Sequence, residues 1–215
     1  MPESQQHGCI WEHFIKKDVY QVSQYIPYTA KFDIPKELNK HNPDANVSIK
    51  TTQGKSVDMG DALRVFENEE KSQLLVLRYK QEGPKKKLQE ILLCDMPSQE
   101  CLFGTVTKDE IQKLVTMIKA VPKGKPDEIN LKEIHLYKEE LNKKSGFIRF
   151  RPKLDSLSQR RLQCSIVDLD NLLGKNPSLL LEKNQEGRLF NCFIPKELQS
   201  LRRQRRNAQP DSEPE

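Results

Sequence analysis

The stretch YTAKFDIPKELNKHNPDANVSIKTT, residues 28–52, constrains the fold of this chain more than any other. It reads as two short strands joined by a polar loop. In the first, Tyr28, Ala30, Phe32 and Ile34 alternate with Thr29, Lys31 and Asp33. In the second, Val47 and Ile49 alternate with Ser48 and Lys50. A period of two puts one set on a core face and the other on an open face. Asp33 and Lys50 are therefore expected to point away from the apolar side of their strands. A carboxylate and an ammonium on adjacent strands are the minimum kit for metal-assisted phosphodiester cleavage. The first can hold a cation and the second can offset phosphate charge.

The remaining periodicities set the architecture. A helix is expected from Gly8 to Gln21, with Ile10, Trp11, Phe14, Ile15 and Val22 in one stripe and Glu12, Lys16 and Lys17 off it. VDMGDALRVFEN reads as a short helix with Ala62, Leu63, Val65 and Phe66 inward. Gln73–Lys80 and Leu88–Cys94 read as strands around the charged turn EGPKKK, where Gly83-Pro84 reverses the chain. Thr107–Ala120 is a helix: Thr107 and Glu110 form a capping-box pattern, and Ile111, Leu114, Val115 and Ile118 follow at helical spacing. Asp127–Lys143 is a further helix with Leu131, Ile134, Tyr137 and Leu141 inward. Gly146–Arg151 and Arg161–Val167 read as strands, Leu169–Leu173 as a short helix, and LFNCFI as a final apolar segment. The order predicts an α/β fold: a central mixed β-sheet flanked by helices, in a single domain. Residues 1–7 and 201–215 are too polar to pack and are expected to be disordered.

Composition narrows the function classes. A net charge of +5 over 215 residues is compatible with a nucleic-acid partner without requiring one. The cysteines are Cys9, Cys94, Cys101, Cys164 and Cys192, an odd number with no CxxC spacing, which argues against a zinc site or a disulfide framework. Such usage fits a reducing compartment. With no apolar leader and no run of about 18 apolar residues, the expectation is a soluble intracellular protein, in cytoplasm or nucleus, with no membrane partner. His7, His13, His41 and His135 show no metal spacing. Taken singly, each candidate has a plain reading: an Asp at a strand end caps a turn, a Lys beside apolar residues is solvated, and a Glu on an amphipathic helix is surface.

Their order says more. A Glu on a helix, an Asp ending a strand, xxK on the next strand and then a helix together resemble the PD-(D/E)xK nuclease superfamily, in its restriction-endonuclease-like branch. HGCIWEHFIKK, FDIPKEL, VSIKTT and VDMGDALRVFE are similar to segments of such enzymes, and QLLVLRYKQ and QRRLQCSI to later pieces. The resemblance covers residues 7–95 and, more faintly, 145–170. It implies a restriction-endonuclease-like domain over residues 8–200 with a nuclease core at about 8–120. It also implies a magnesium-dependent endodeoxyribonuclease that hydrolyses double-stranded DNA. Because such enzymes often dimerise to cut two strands, it admits a homodimer.

By that resemblance Asp33 matches the metal-binding Asp, Lys50 the Lys, and Glu12 the helix Glu and second metal ligand. The sequence departs from the pattern at two places. Ser48 stands where the second acid is expected, and Phe32 stands in place of the Pro of Pro-Asp. The literal Pro43-Asp44 lies too close to Lys50 to occupy a separate strand. Ser48 can hydrogen-bond a water or the phosphate, and Glu12, Asp58 or Asp61 can replace the missing ligand. Expected nucleic-acid contacts are Gln81, the turn lysines Lys85, Lys86 and Lys87, and Arg160, Arg161 and Gln163. Arg202, Arg203, Arg205 and Arg206 add a basic tail. The alternative is a catalytically inactive nuclease-fold module that binds DNA or a protein partner.

Overall fold

A computed structural model describes residues 10–27, 30–122, 128–154 and 160–199. The expectations for residues 1–7, for Tyr28 and Thr29, and for the 201–215 tail with its arginines lie outside the described residues.

The chain opens with a helix, α1, whose residues 10–14 are α-helical and run into a π-helical turn, Ile15–Val19. Trp11, Ile15 and Val19 are buried. A 3-10 turn at Lys36–Leu38 precedes β1 (Asn46–Thr52) and β2 (Val57–Asp61). Then come α2 (Ala62–Phe66), β3 (Ser72–Glu82), β4 (Lys85–Asp95) and α3 (Gln99–Phe103). The two long helices are α4 (Lys108–Ala120) and α5 (Glu128–Lys144). After β5 (Ile148–Lys153), β6 (Arg161–Ile166) and α6 (Leu169–Lys175), the last described residues form short strands. These are β7 (Leu180–Asn184), β8 (Arg188–Leu189), β9 (Cys192–Phe193) and β10 (Glu197–Gln199).

The fold is α/β with a mixed sheet flanked by helices. β1 runs parallel to β3; β3 and β4 are antiparallel, and both β7 and β10 pair antiparallel with β4. A separate antiparallel sheet has the order β2-β6-β5. The run LLVL in β3 is continuous because both faces of the main sheet are covered. Leu74, Val76, Leu92 and Cys94 face a core completed by α4, α6 and the three-stranded sheet. Leu75, Leu77, Ile91 and Leu93 face Trp11, Ile15, Val19 and Ile34. The Trp11 Nε1–H donates to the Pro195 carbonyl at 2.9 Å, which fixes α1 across that second face.

Much of the expected pattern is present. The Thr107–Glu110 capping box closes α4, and its four expected apolar residues are buried. In β1, Val47 and Ile49 are buried while Ser48 and Lys50 are half-buried, as period-two alternation requires.

Three expectations are corrected. Residues 30–33 form no strand; Ile34 alone bridges Val47, through reciprocal backbone bonds of 3.0 and 2.7 Å. The cause is local: Pro35 has no N–H, and the Asp33 carboxylate takes the Ile49 N–H that a continuing ladder would have used. Next, Val57–Asp61 is strand rather than the start of a helix. Val57 and Met59 are buried at a spacing of two, and Gly60, at φ 84°, carries the bulge where β2 pairs β6. The helix begins only at Ala62, capped by Asp61, which accepts the Arg64 N–H. Finally, Gly83-Pro84 alone makes the β3–β4 turn, so Lys85, Lys86 and Lys87 belong to β4.

Candidate active site

The edge of β1 and the segments that pass in front of it enclose a cavity of about 390 Å³. Glu12, Asp33, Ser48 and Lys50 all line it, and Arg161 closes it from the three-stranded sheet. Each arrives for a different reason. Trp11 anchors α1 in the core, which leaves its neighbour Glu12 half-buried at the cavity wall. The Ile34–Val47 bridge holds Asp33 beside β1. Ser48 and Lys50 flank buried Ile49, so they share the opposite face of the strand. Arg161 begins β6 and is exposed.

The polar groups are specifically held. Asp33 Oδ2 accepts the Ile49 N–H at 2.7 Å, and its second oxygen has no hydrogen-bond partner among the described residues. Glu12 Oε1 lies 2.5 Å from Lys16 Nζ. Lys31, also on the wall, is paired with Glu70 at 2.7 Å, and that hydrogen bond draws the Glu70 carboxyl below its ordinary range. Lys50, Arg64 and Arg161 have no carboxylate partner among the described residues. The walls thus carry, among the described residues, three cations without a carboxylate partner, Lys50, Arg64 and Arg161, beside the paired Lys31 and the acids Glu12 and Asp33. Unpaired cations around a concavity form a site for an anion.

Other expected residues go elsewhere. Asp58 accepts the Gly60 N–H at 2.9 Å, and Asp61 caps α2, so neither lines the cavity. Gln81 donates to the Gly83 carbonyl at 2.7 Å. Lys85 and Lys87 are paired with Glu197 and Glu82, and Lys86 is buried over the Tyr79 ring with its Nζ 3.2 Å from the phenol oxygen. Lys50 pairs in register with Val76, and Glu82 is six residues farther along β3. Lys87, Lys86 and Lys85 lie opposite Lys80, Gln81 and Glu82, so along the strands they are about 14 to 20 Å from Lys50 at ~3.4 Å per residue. Arg160 donates to the Val121 and Pro122 carbonyls, whereas Gln163 stays half-buried on β6.

Sequence reasoning missed Arg64, Lys31 and Gln99 as wall residues. Arg64 carried a signal: it is the charged residue in the otherwise apolar ALRVF turn, placed by the Asp61 cap. Cys164 lies beneath this region. Burial pushes its thiol far above the ordinary range, with Asp58 and Asp61 adding to the effect, so it is no nucleophile.

No protein-family model, curated protein or solved structure matches the chain. Among the described residues, no helix is long and apolar enough to cross a membrane.

Proposed function

We propose that this cavity binds a nucleic-acid phosphodiester and hydrolyses it with a divalent cation, as the resemblance to restriction-endonuclease-like enzymes implies. The observation that carries the reading is convergence: Glu12, Asp33, Ser48 and Lys50, spread over 39 positions of sequence, line one cavity. The Asp33–Ile49 hydrogen bond and the alternation of β1 bring Asp33, Ser48 and Lys50 together, and Glu12 reaches them independently from α1.

Magnesium asks for one or two carboxylates and keeps its other positions for water and substrate phosphate. Glu12 and Asp33 match that donor set, and Asp33 retains a free oxygen for it. The cation would supply Lewis-acid polarisation of a phosphoryl oxygen. The chain's own groups do the rest. The Lys50 ammonium offsets the charge that builds on the phosphorus as water attacks. Arg64 and Arg161 hold the flanking phosphate charge and fix the strand's path. The Ser48 hydroxyl donates to a phosphate oxygen or orients the water.

A second reading, binding without cleavage, is favoured by two observations. Among the described residues, no group of three or more His, Cys, Asp and Glu gathers that could hold a metal, and a serine occupies the acid's place beside Lys50. Supercoiled plasmid incubated with and without magnesium separates the two. Nicked or linear product that appears only with the metal supports hydrolysis. Retarded but intact plasmid supports binding alone.

A further inference from the structure

The outer face of β5 and β6 is a basic surface that runs into the cavity. Along β5, Ile148 and Phe150 are buried in the core, so Arg149 and Arg151 point out and are exposed. Lys153 continues the same face. Register sets Arg151 opposite Gln163 and Lys153 directly opposite Arg161, the residue that also lines the cavity. Two like charges facing each other across a strand pair destabilise the sheet.

Several surface lysines elsewhere are held by carboxylates. Lys80 and Lys87 pair with Glu82, Lys85 with Glu197, Lys108 with Glu67 and Lys144 with Glu110. Arg149, Arg151, Lys153 and Arg161 have no carboxylate partner among the described residues. Arg149 Nη1 reaches the Gly146 and Ile148 carbonyls, and Arg151 Nη2 donates to Ser56 Oγ at 3.3 Å, which leaves other guanidinium donors free. Asp58 and Asp61 lie at the β2 edge of this face; each accepts one backbone N–H and keeps its charge, so the basic surface is confined to the β5 side.

We propose that this face seats the phosphate backbone of double-stranded DNA, with Arg161 passing one strand to the cavity. Arg149 to Lys153 spans four residues, about 13 Å at ~3.3 Å each. That is about four base-pair rises of ~3.4 Å. The inference rests on the nucleic-acid reading above but not on cleavage.

The test is fluorescence anisotropy of the full chain with a labelled duplex of about 20 base pairs, without divalent metal, across a salt series from ~50 to ~200 mM. The combined Arg149→Gln, Arg151→Gln and Lys153→Gln variant should weaken binding and flatten the slope of log affinity against log salt by about 2.7, about 0.9 for each lost phosphate contact. Lys80→Gln, Lys85→Gln and Lys87→Gln together should leave the slope unchanged, because those charges are already neutralised. If the triple arginine–lysine variant does not fold, Arg151→Gln alone should still flatten the slope by about 0.9. Equal losses in both triple variants, an unchanged slope, or wild-type preference for single strand or anionic vesicles over duplex would overturn the proposal. A flattened slope with no plasmid cleavage would leave this surface standing and remove the hydrolytic reading alone.

Discussion

The Asp33 carboxylate accepts the Ile49 N–H at 2.7 Å, at the point where the Ile34–Val47 bridge stops. One residue thus ends a β-ladder and presents a carboxylate oxygen to the cavity. The two roles separate by mutation. Asp33→Asn keeps an acceptor for Ile49 and should cost under about 1 kcal/mol, yet abolish metal-dependent cleavage. Asp33→Ala removes the acceptor as well and should cost about 1–3 kcal/mol. Urea unfolding beside plasmid cleavage reads both; equal stability loss in the two variants would contradict the assignment.

Ser48 shares a face with Lys50 at the cavity wall, and its hydroxyl has no hydrogen-bond partner among the described residues. Ser48→Glu places a carboxylate where a ligand is expected. It should lower the magnesium concentration needed for half-maximal cleavage by several-fold, and isothermal titration should show tighter magnesium binding. No change in either quantity would show that the site does not recruit a metal beside β1.

Glu110 closes the α4 capping box and pairs with Lys144 of α5. The Lys144 hydrogen bond, and then that from the Thr107 N–H, hold the Glu110 carboxyl below its ordinary value of 4.5. A depressed folded value means the contribution is complete above the unfolded value and disappears as pH falls through the folded one. Glu110→Gln should therefore be less stable than wild type near neutral pH, and the two should converge under acid conditions below 4.5. Thermal melts across pH check this; a gap that persists at low pH would assign it to packing.

Trp11 is the sole tryptophan of the chain and is fully buried. Its emission should be blue-shifted in the native state and move red when α1 leaves the sheet. Trp11→Phe loses the bond to Pro195 and some volume, and should cost about 1–3 kcal/mol. Because Trp11 positions Glu12, cleavage should fall in this variant even under conditions where it remains folded.

Thiol chemistry gives an independent check on the core. Burial pushes the Cys94 thiol up to about 12 and that of Cys164 higher still. Neither should react with maleimide at pH 8 until the protein unfolds, whereas half-exposed Cys192 should react in the native state.

Sequence periodicity exposed the elements with a single strong repeat. The capped α4 and the all-apolar β3 and β4 were legible because burial and period agreed. The segment before Asp33 alternates like a strand, but a side-chain acceptor and Pro35 outcompeted the backbone ladder. In VDMGDALRVF a two-residue period changes to a helical one at the Asp61 cap, and the helical half hid the strand. The order of Glu12, Asp33, Ser48 and Lys50 in the sequence suggested that they meet, and all four line one cavity. Arg64 and the β5 face were not readable from the sequence, since their meaning depends on which carboxylates lie near them, and charge pairing across the sheet has no local sequence signal.

The most direct measurement is magnesium-dependent cleavage of supercoiled plasmid by wild type and by Lys50→Ala at equal DNA occupancy. Lys50 carries no ion pair among the described residues, so its removal should leave the fold intact while abolishing hydrolysis. The account predicts nicked or linear product for wild type and none for the variant. Equal cleavage by both proteins, or no cleavage by wild type with any divalent cation, would contradict it.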